Sequence, residues 1–170
     1  YVNQNGYILD GNEYFTAFDG ETVKTIDTIY YPIPRLDYKS WGDTNGNRCD
    51  RYVASVAWLD GQRPYAVYWR GYYMGRNGRQ RHGACGISLE NGVLNPKYKF
   101  DTYSKDTDAY TPGNEKYVGE GNHNMTVADV DDDGNNEFMS ATLCYEVNDE
   151  DKLMPKWYGG RQHGDALHIG

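Results

Sequence analysis

RYVASVAWLDGQRPYAVYWRGYY, residues 51–73, decides the fold class. Arg51–Leu59 and Pro64–Tyr73 are rich in valine, alanine and aromatic residues, and Asp60-Gly61 separates them. Asp-Gly between two such runs is among the strongest short-range hairpin signals, because it tolerates the positive φ of a tight turn. The same grammar recurs outward. Glu13–Phe18 and Val23–Tyr31 flank Asp19-Gly20, and Ala84–Leu89 and Tyr98–Thr102 flank Asn91-Gly92. Tyr7–Leu9, Asn124–Val130, Glu137–Val147 and Pro155–Tyr158 read as further strands, and Pro32 and Pro34 mark a connection. No stretch of ten or more residues carries a helical period. The prediction is an all-β chain.

Composition agrees. Tyrosine (17) and glycine (20) are abundant in the 170 residues, one favouring strands and the other turns. The net charge of −8 excludes a nucleic-acid partner, which needs a basic surface. No apolar run approaches the length of a membrane span. Apolar residues make up only 38%, and the mean hydropathy is −0.87, polar for a self-sufficient globule. With Tyr1 in first place, no initiator Met and no signal peptide, the stretch reads as a piece of a longer chain. Cys49, Cys85 and Cys144 are odd in number, so they cannot close a disulfide framework, and they read as buried thiols.

Two segments look like copies. Asp43-Thr-Asn-Gly-Asn-Arg-Cys-Asp-Arg51 precedes one apolar strand, and Asp129-Val-Asp-Asp-Asp-Gly-Asn-Asn-Glu137 precedes another, 86 residues later. That interval is about two propeller blades at roughly 40–50 residues each. In the second copy Asp129, Asp131 and Asp133 alternate, Gly134 permits a sharp turn, Asn135 offers a carbonyl and Glu137 closes the set. Alternating oxygens on a tightly curled loop suit Ca2+, which takes six to eight oxygen ligands. An EF-hand would need its bidentate Glu at the loop's twelfth position, where Ser140 stands, and its flanks would be helical. The loop is therefore predicted as a calcium loop between β-strands. The first copy places Arg48 where the glycine should be, which disfavours a cation.

His123 lies in Gly119-Glu-Gly-Asn-His-Asn124, and His163, Asp165 and His168 lie in His163-Gly-Asp-Ala-Leu-His168. Two His and one Asp are a ligand set for zinc or another transition metal, or simply loop hydrogen-bonding groups. No serine sits on a nucleophile elbow, which disfavours a Ser-His-Asp hydrolase.

These motifs in this order resemble family 11 polysaccharide lyases, the rhamnogalacturonan lyases. The resemblance rests on Tyr7-Ile-Leu-x-Gly-x-Glu-Tyr14, Trp41-Gly-Asp-x-x-Gly-Asn-Arg-x-Asp-Arg51, Leu59-Asp-Gly-Gln-Arg-Pro64, Arg70-Gly-Tyr-Tyr73, Gly121-Asn-His-x-x-x-Val-Ala-Asp-Val-Asp131 and His163-Gly-Asp-Ala-Leu-His168. It implies a secreted, calcium-dependent, eight-bladed β-propeller that cleaves the galacturonate–rhamnose backbone of pectin, an anionic polysaccharide, by β-elimination. It further implies that His123, His163 and Asp165 bind one calcium, completed by an acidic residue beyond Gly170. On this reading the chain is roughly two to three blades (approximately 1–40, 41–118 and 119–160, the next starting at 161), and other sequence supplies the remaining blades. Alone, with unpaired sheet edges, the piece is expected to be inactive. It differs from the family in the basic segment Met74–Gly83, with Arg76, Arg79, Arg81 and His82, and in placing Cys49 and Cys144 at apolar positions. Arg70, Tyr72, Tyr73 and the Met74–Gly83 segment are the local candidates for contact with an anionic sugar. A calcium-stabilised carbohydrate-binding or adhesion propeller without catalysis is the alternative.

Overall fold

The structure is a computed structural model that describes residues 2–42, 46, 49–71, 81–104, 106–140, 142–160 and 163–164. The strands, in chain order, are β1 (Tyr14–Phe18), β2 (Thr25–Tyr30), β3 (Tyr52–Ala57), β4 (Tyr65–Gly71), β5 (His82–Glu90), β6 (Val93–Asp101) and β7 (Tyr103–Ser104). They continue with β8 (Ala109–Tyr110), β9 (Gly121–Asn122), β10 (Thr126–Ala128), β11 (Glu137–Ser140), β12 (Leu143–Val147), β13 (Leu153–Tyr158) and β14 (His163–Gly164). Among the described residues the helical turns are two short 3-10 segments, Tyr38–Trp41 and Glu115–Tyr117. The all-β expectation holds.

The opening hairpin is present: β3 pairs antiparallel with β4, from Tyr52 opposite Arg70 to Ala57 opposite Tyr65. It extends into a four-stranded meander, β3-β4-β5-β6, and a second, β10-β11-β12-β13, follows. Glu137–Val147, read as one strand, divides into β11 and β12, which pair antiparallel with each other. Tyr7–Leu9 contributes a single bridge, Val2 to Ile8, rather than a strand.

Side-chain alternation explains how the middle sheet serves two cores. Tyr65, Val67, Trp69 and Ala84 face one way and pack with Phe138, Leu143, Tyr145 and Leu153 of the following sheet. Tyr68, Cys85 and Ile87 face the other way and meet Phe15, Ala17 and Ile29 of the β1–β2 hairpin, with Trp41 and Cys49. The three cysteines are free and buried, as expected, and burial pushes their thiols up to about 12.

The two apparent copies are not equivalent in the sheets. Residues 129–136 join the first and second strands of their sheet, whereas the strand that follows the first copy in the sequence, β3, is the first of its sheet; Asp43, Asn45, Asn47 and Arg48 of that copy lie outside the described residues. The topological counterpart of the acidic loop is the Asp60-Gly61 turn, and β3 and β10 pack beside each other.

Candidate metal centre

The acidic loop folds on its own carboxylates. Asp129 accepts hydrogen bonds from the backbone N–H of Asp133 (3.1 Å) and Gly134 (2.9 Å), one on each oxygen. Asp133 accepts from the Asn135 backbone (2.7 Å) and from its side chain (3.1 Å). Gly134 has φ of 92°, a left-handed value that costs glycine little. Glu137, buried at the start of β11, accepts from Val130 N at 2.9 Å.

This curl brings carboxylate oxygens of Asp129, Asp131 and Glu137 within 4.8 Å of one another. Each oxygen accepting a single N–H keeps acceptor capacity. A hard divalent cation with oxygen ligands at about 2.3–2.6 Å fits such a triangle. Burial pushes the Glu137 carboxyl up, and the negative charges of Asp131 and Asp133 add to the shift, outweighing the Val130 hydrogen bond and Lys156. The carboxylates outnumber the cationic side chain beside them, Lys156. Asp133 and Asn135, also predicted as ligands, lie on the same loop and hold each other.

Lys156 of β13 reaches the rim of this cluster. Its Nζ lies 2.8 Å from Asp131 Oδ2 and also pairs with Glu146 of β12. Nothing local in the sequence flags Lys156, which is 25 residues from Asp131 and is delivered by strand pairing.

The loop also clasps the neighbouring sheet. Trp58 N donates to Asn136 Oδ1 (2.9 Å), and Asn136 N donates to Trp58 O (2.8 Å). Gly61, at φ +64°, is so close that an added Cβ would lie 2.9 Å from Gly134 O and 3.0 Å from Asn135 Oδ1. Gly61→Ala is therefore expected to cost about 1–2 kcal/mol in backbone strain and to weaken cation binding by the acidic loop it displaces. Chemical denaturation and calcium titration check this. Gly20→Ala, with nothing within 4 Å of the new Cβ, serves as the quiet control.

The two histidine motifs meet through their backbones. β14 pairs in parallel with β9, setting His163 opposite Gly121 and Gly164 opposite Asn122. His123, exposed and engaged in interactions, follows directly on β9. Asp165 and His168 lie outside the described residues, as do Tyr72, Tyr73 and residues 74–80.

Arg70, proposed from sequence as a sugar contact, is fully buried. Its Nη1 and Nη2 each lie 2.7 Å from one oxygen of Glu13, Nε donates to Cys49 O (2.7 Å), and Nη1 also donates to Ile33 O (2.6 Å). Its guanidinium also packs over Trp41 at 4.8 Å. Four of its five N–H groups are used within the fold and the side chain is fully buried, so this geometry gives Arg70 a structural role. Arg81 and His82, read as members of a basic loop, are likewise buried: Arg81 pairs with Asp101, and His82 stacks on Trp69 at 4.5 Å and meets Tyr145 Oη at 2.9 Å. Burial, then the Arg81 charge, pushes the His82 pKa down to about 3, keeping the ring neutral.

The sequence model described as "Rhamnogalacturonan lyase family 11, C-terminal domain" matches residues 1–170. The rhamnogalacturonan exolyase YesX of Bacillus subtilis is 40% identical over 168 residues, covering 99% of this chain and 25% of that protein. The rhamnogalacturonan endolyase YesW of the same organism is 38% identical over 170 residues, covering 100% of this chain and 25% of that protein. A crystal structure of YesW superposes with a TM-score of 0.83 at 36% identity, over 100% of this chain and 26% of that one. The chain thus spans about a quarter of the length of these relatives. It belongs to rhamnogalacturonan lyase family 11, within the segment that the family defines as its C-terminal domain.

Proposed function

We propose that the chain is part of a secreted rhamnogalacturonan lyase that cleaves the galacturonate–rhamnose backbone of pectin by calcium-dependent β-elimination. The observation that carries this reading is likeness along essentially the whole chain to two enzymes named as rhamnogalacturonan lyases, one an exolyase and one an endolyase. Consecutive four-stranded antiparallel meanders with neighbouring first strands support reading the sheets as propeller blades, with further blades supplied by the rest of the parent.

In the reaction a base takes the C5 proton of galacturonate, the electron pair forms the C4–C5 double bond, and the C4–O4 bond breaks. A bound calcium would supply positive charge that could neutralise the C6 carboxylate and so make C5–H more acidic. Asp129, Asp131 and Glu137 would hold one ion, with Asp133 and Asn135 completing the loop. The bonds from Asn136 to Trp58 favour a role for that ion in fixing one sheet against the next. The juxtaposition of β14 and β9 supports a second set, His123, His163 and Asp165.

The full-length parent is expected to release an unsaturated uronide, read by its ultraviolet absorbance, from rhamnogalacturonan, and chelator should abolish the signal. The 170-residue chain alone should release little or none. Binding of the polysaccharide without product by the intact parent would instead establish a binding propeller.

A further inference from the structure

We infer that Lys156 is a built-in competitor for the cation site, an ammonium that occupies Asp131 when calcium is absent and retreats to Glu146 when it is present. The inference rests on the calcium reading of the acidic loop. Asp131 has two claims on it: its carboxylate belongs to the three-carboxylate cluster, and its Oδ2 lies 2.8 Å from Lys156 Nζ. Lys156 has a second partner, Glu146, which is absent from that cluster.

The side chains of Lys156, Glu146 and Asp131 are 19%, 25% and 34% exposed, so water screens the group only in part. A divalent ion bound by Asp131 would repel an ammonium held on the same carboxylate, and the repulsion falls only as the inverse of distance. Moving the ammonium onto Glu146 relieves it, and Glu146 stays neutralised instead of adding another bare charge to the loop. The consequence is a trade. Lys156 steadies the crowded carboxylates without metal, and the same charge makes calcium bind more weakly than the ligands alone would dictate.

The test uses the full-length parent, with calcium affinity measured by competition against a chromophoric chelator and thermal melts recorded in EDTA. The contribution of this loop is the difference between wild type and Asp129→Asn. Lys156→Met is expected to tighten calcium at this loop by about tenfold and to lower the melting temperature in EDTA. Glu146→Gln leaves Lys156 with Asp131 alone and is expected to weaken calcium binding several-fold. Lys156→Gln, a milder change with the same expected signs, substitutes if Lys156→Met does not fold. Unchanged or weaker affinity in the Lys156 variants overturns the competition. Wild type and Asp129→Asn binding the same amount of calcium sinks the calcium reading itself, and this inference with it.

Discussion

Glu13→Ala is expected to destabilise the fold by about 3–5 kcal/mol, the cost of stranding a buried charge by removing its partner. Glu13 faces two guanidinia. Arg70, fully buried, makes two 2.7 Å contacts to this carboxylate. Arg35 donates its backbone N–H at 2.8 Å and its side chain at 3.1 Å to the same group, and its guanidinium also pairs with Asp50 at 2.9 Å. Without Glu13, Arg70 retains carbonyls and aromatic rings around it but no anion. Since Arg70 also binds Cys49 O and Ile33 O, the loss propagates into the packing between the β1–β2 hairpin and the middle sheet. Chemical denaturation of wild type and variant measures it. A loss below about 1 kcal/mol, the range of exposed pairs, would show that water solvates the arginines after all.

The same carboxylate predicts an acid limb. Burial alone would raise its pKa, but the hydrogen bonds and charges of Arg70 and Arg35 outweigh that and hold it below the ordinary 4.5. A depressed folded value means that the contribution is complete above pH 4.5 and is lost as the pH falls through the folded pKa. Glu13→Gln removes this titration. The stability gap between wild type and Glu13→Gln should therefore narrow only below that pH.

Asp129→Asn is expected to abolish the stabilisation that calcium gives through the acidic loop. At free calcium about a thousandfold above the dissociation constant, one site contributes about 4 kcal/mol. Asparagine keeps an acceptor oxygen for one of the loop's two backbone N–H groups and gives up the bond to the other. One negative charge among Asp131, Asp133 and Glu137 is also gone, and with it a cation ligand. The sign of the effect should reverse with metal. In saturating calcium the variant melts below wild type, and in EDTA it melts at or above wild type because the repulsion in the loop is relieved. A variant equally impaired in both conditions would mean that Asp129 acts only through its hydrogen bonds to Asp133 and Gly134.

Much of this was legible along the chain. Period-two alternation and Asp-Gly and Asn-Gly turns are local signals, and they located both strands of the 51–73 hairpin and those around the turns at 19–20 and 91–92. Alternating acids with glycine are local too, and Asp129, Asp131 and Glu137 do converge. Arg70 was misread for the opposite reason. An arginine beside an aromatic run looks like an anion receptor, and only the fold reveals that Glu13, 57 residues earlier, is its anion. The break between β11 and β12 escaped because no Gly, Pro or Asn marks it in Ser140-Ala-Thr-Leu143.

The chain by itself therefore determined what neighbours along the backbone can settle: its all-β character, its turns, the clustering of acids in one loop and the order of motifs that places it in its family. Tertiary structure alone decided which charges meet. Glu13 with Arg70, Lys156 with Asp131, Asn136 with Trp58 and β14 with β9 are all contacts across sheets or between distant strands. The physical reason is that turn and strand signals are short-range steric preferences, whereas a buried charge finds its partner only when separate sheets pack and expel the water between them.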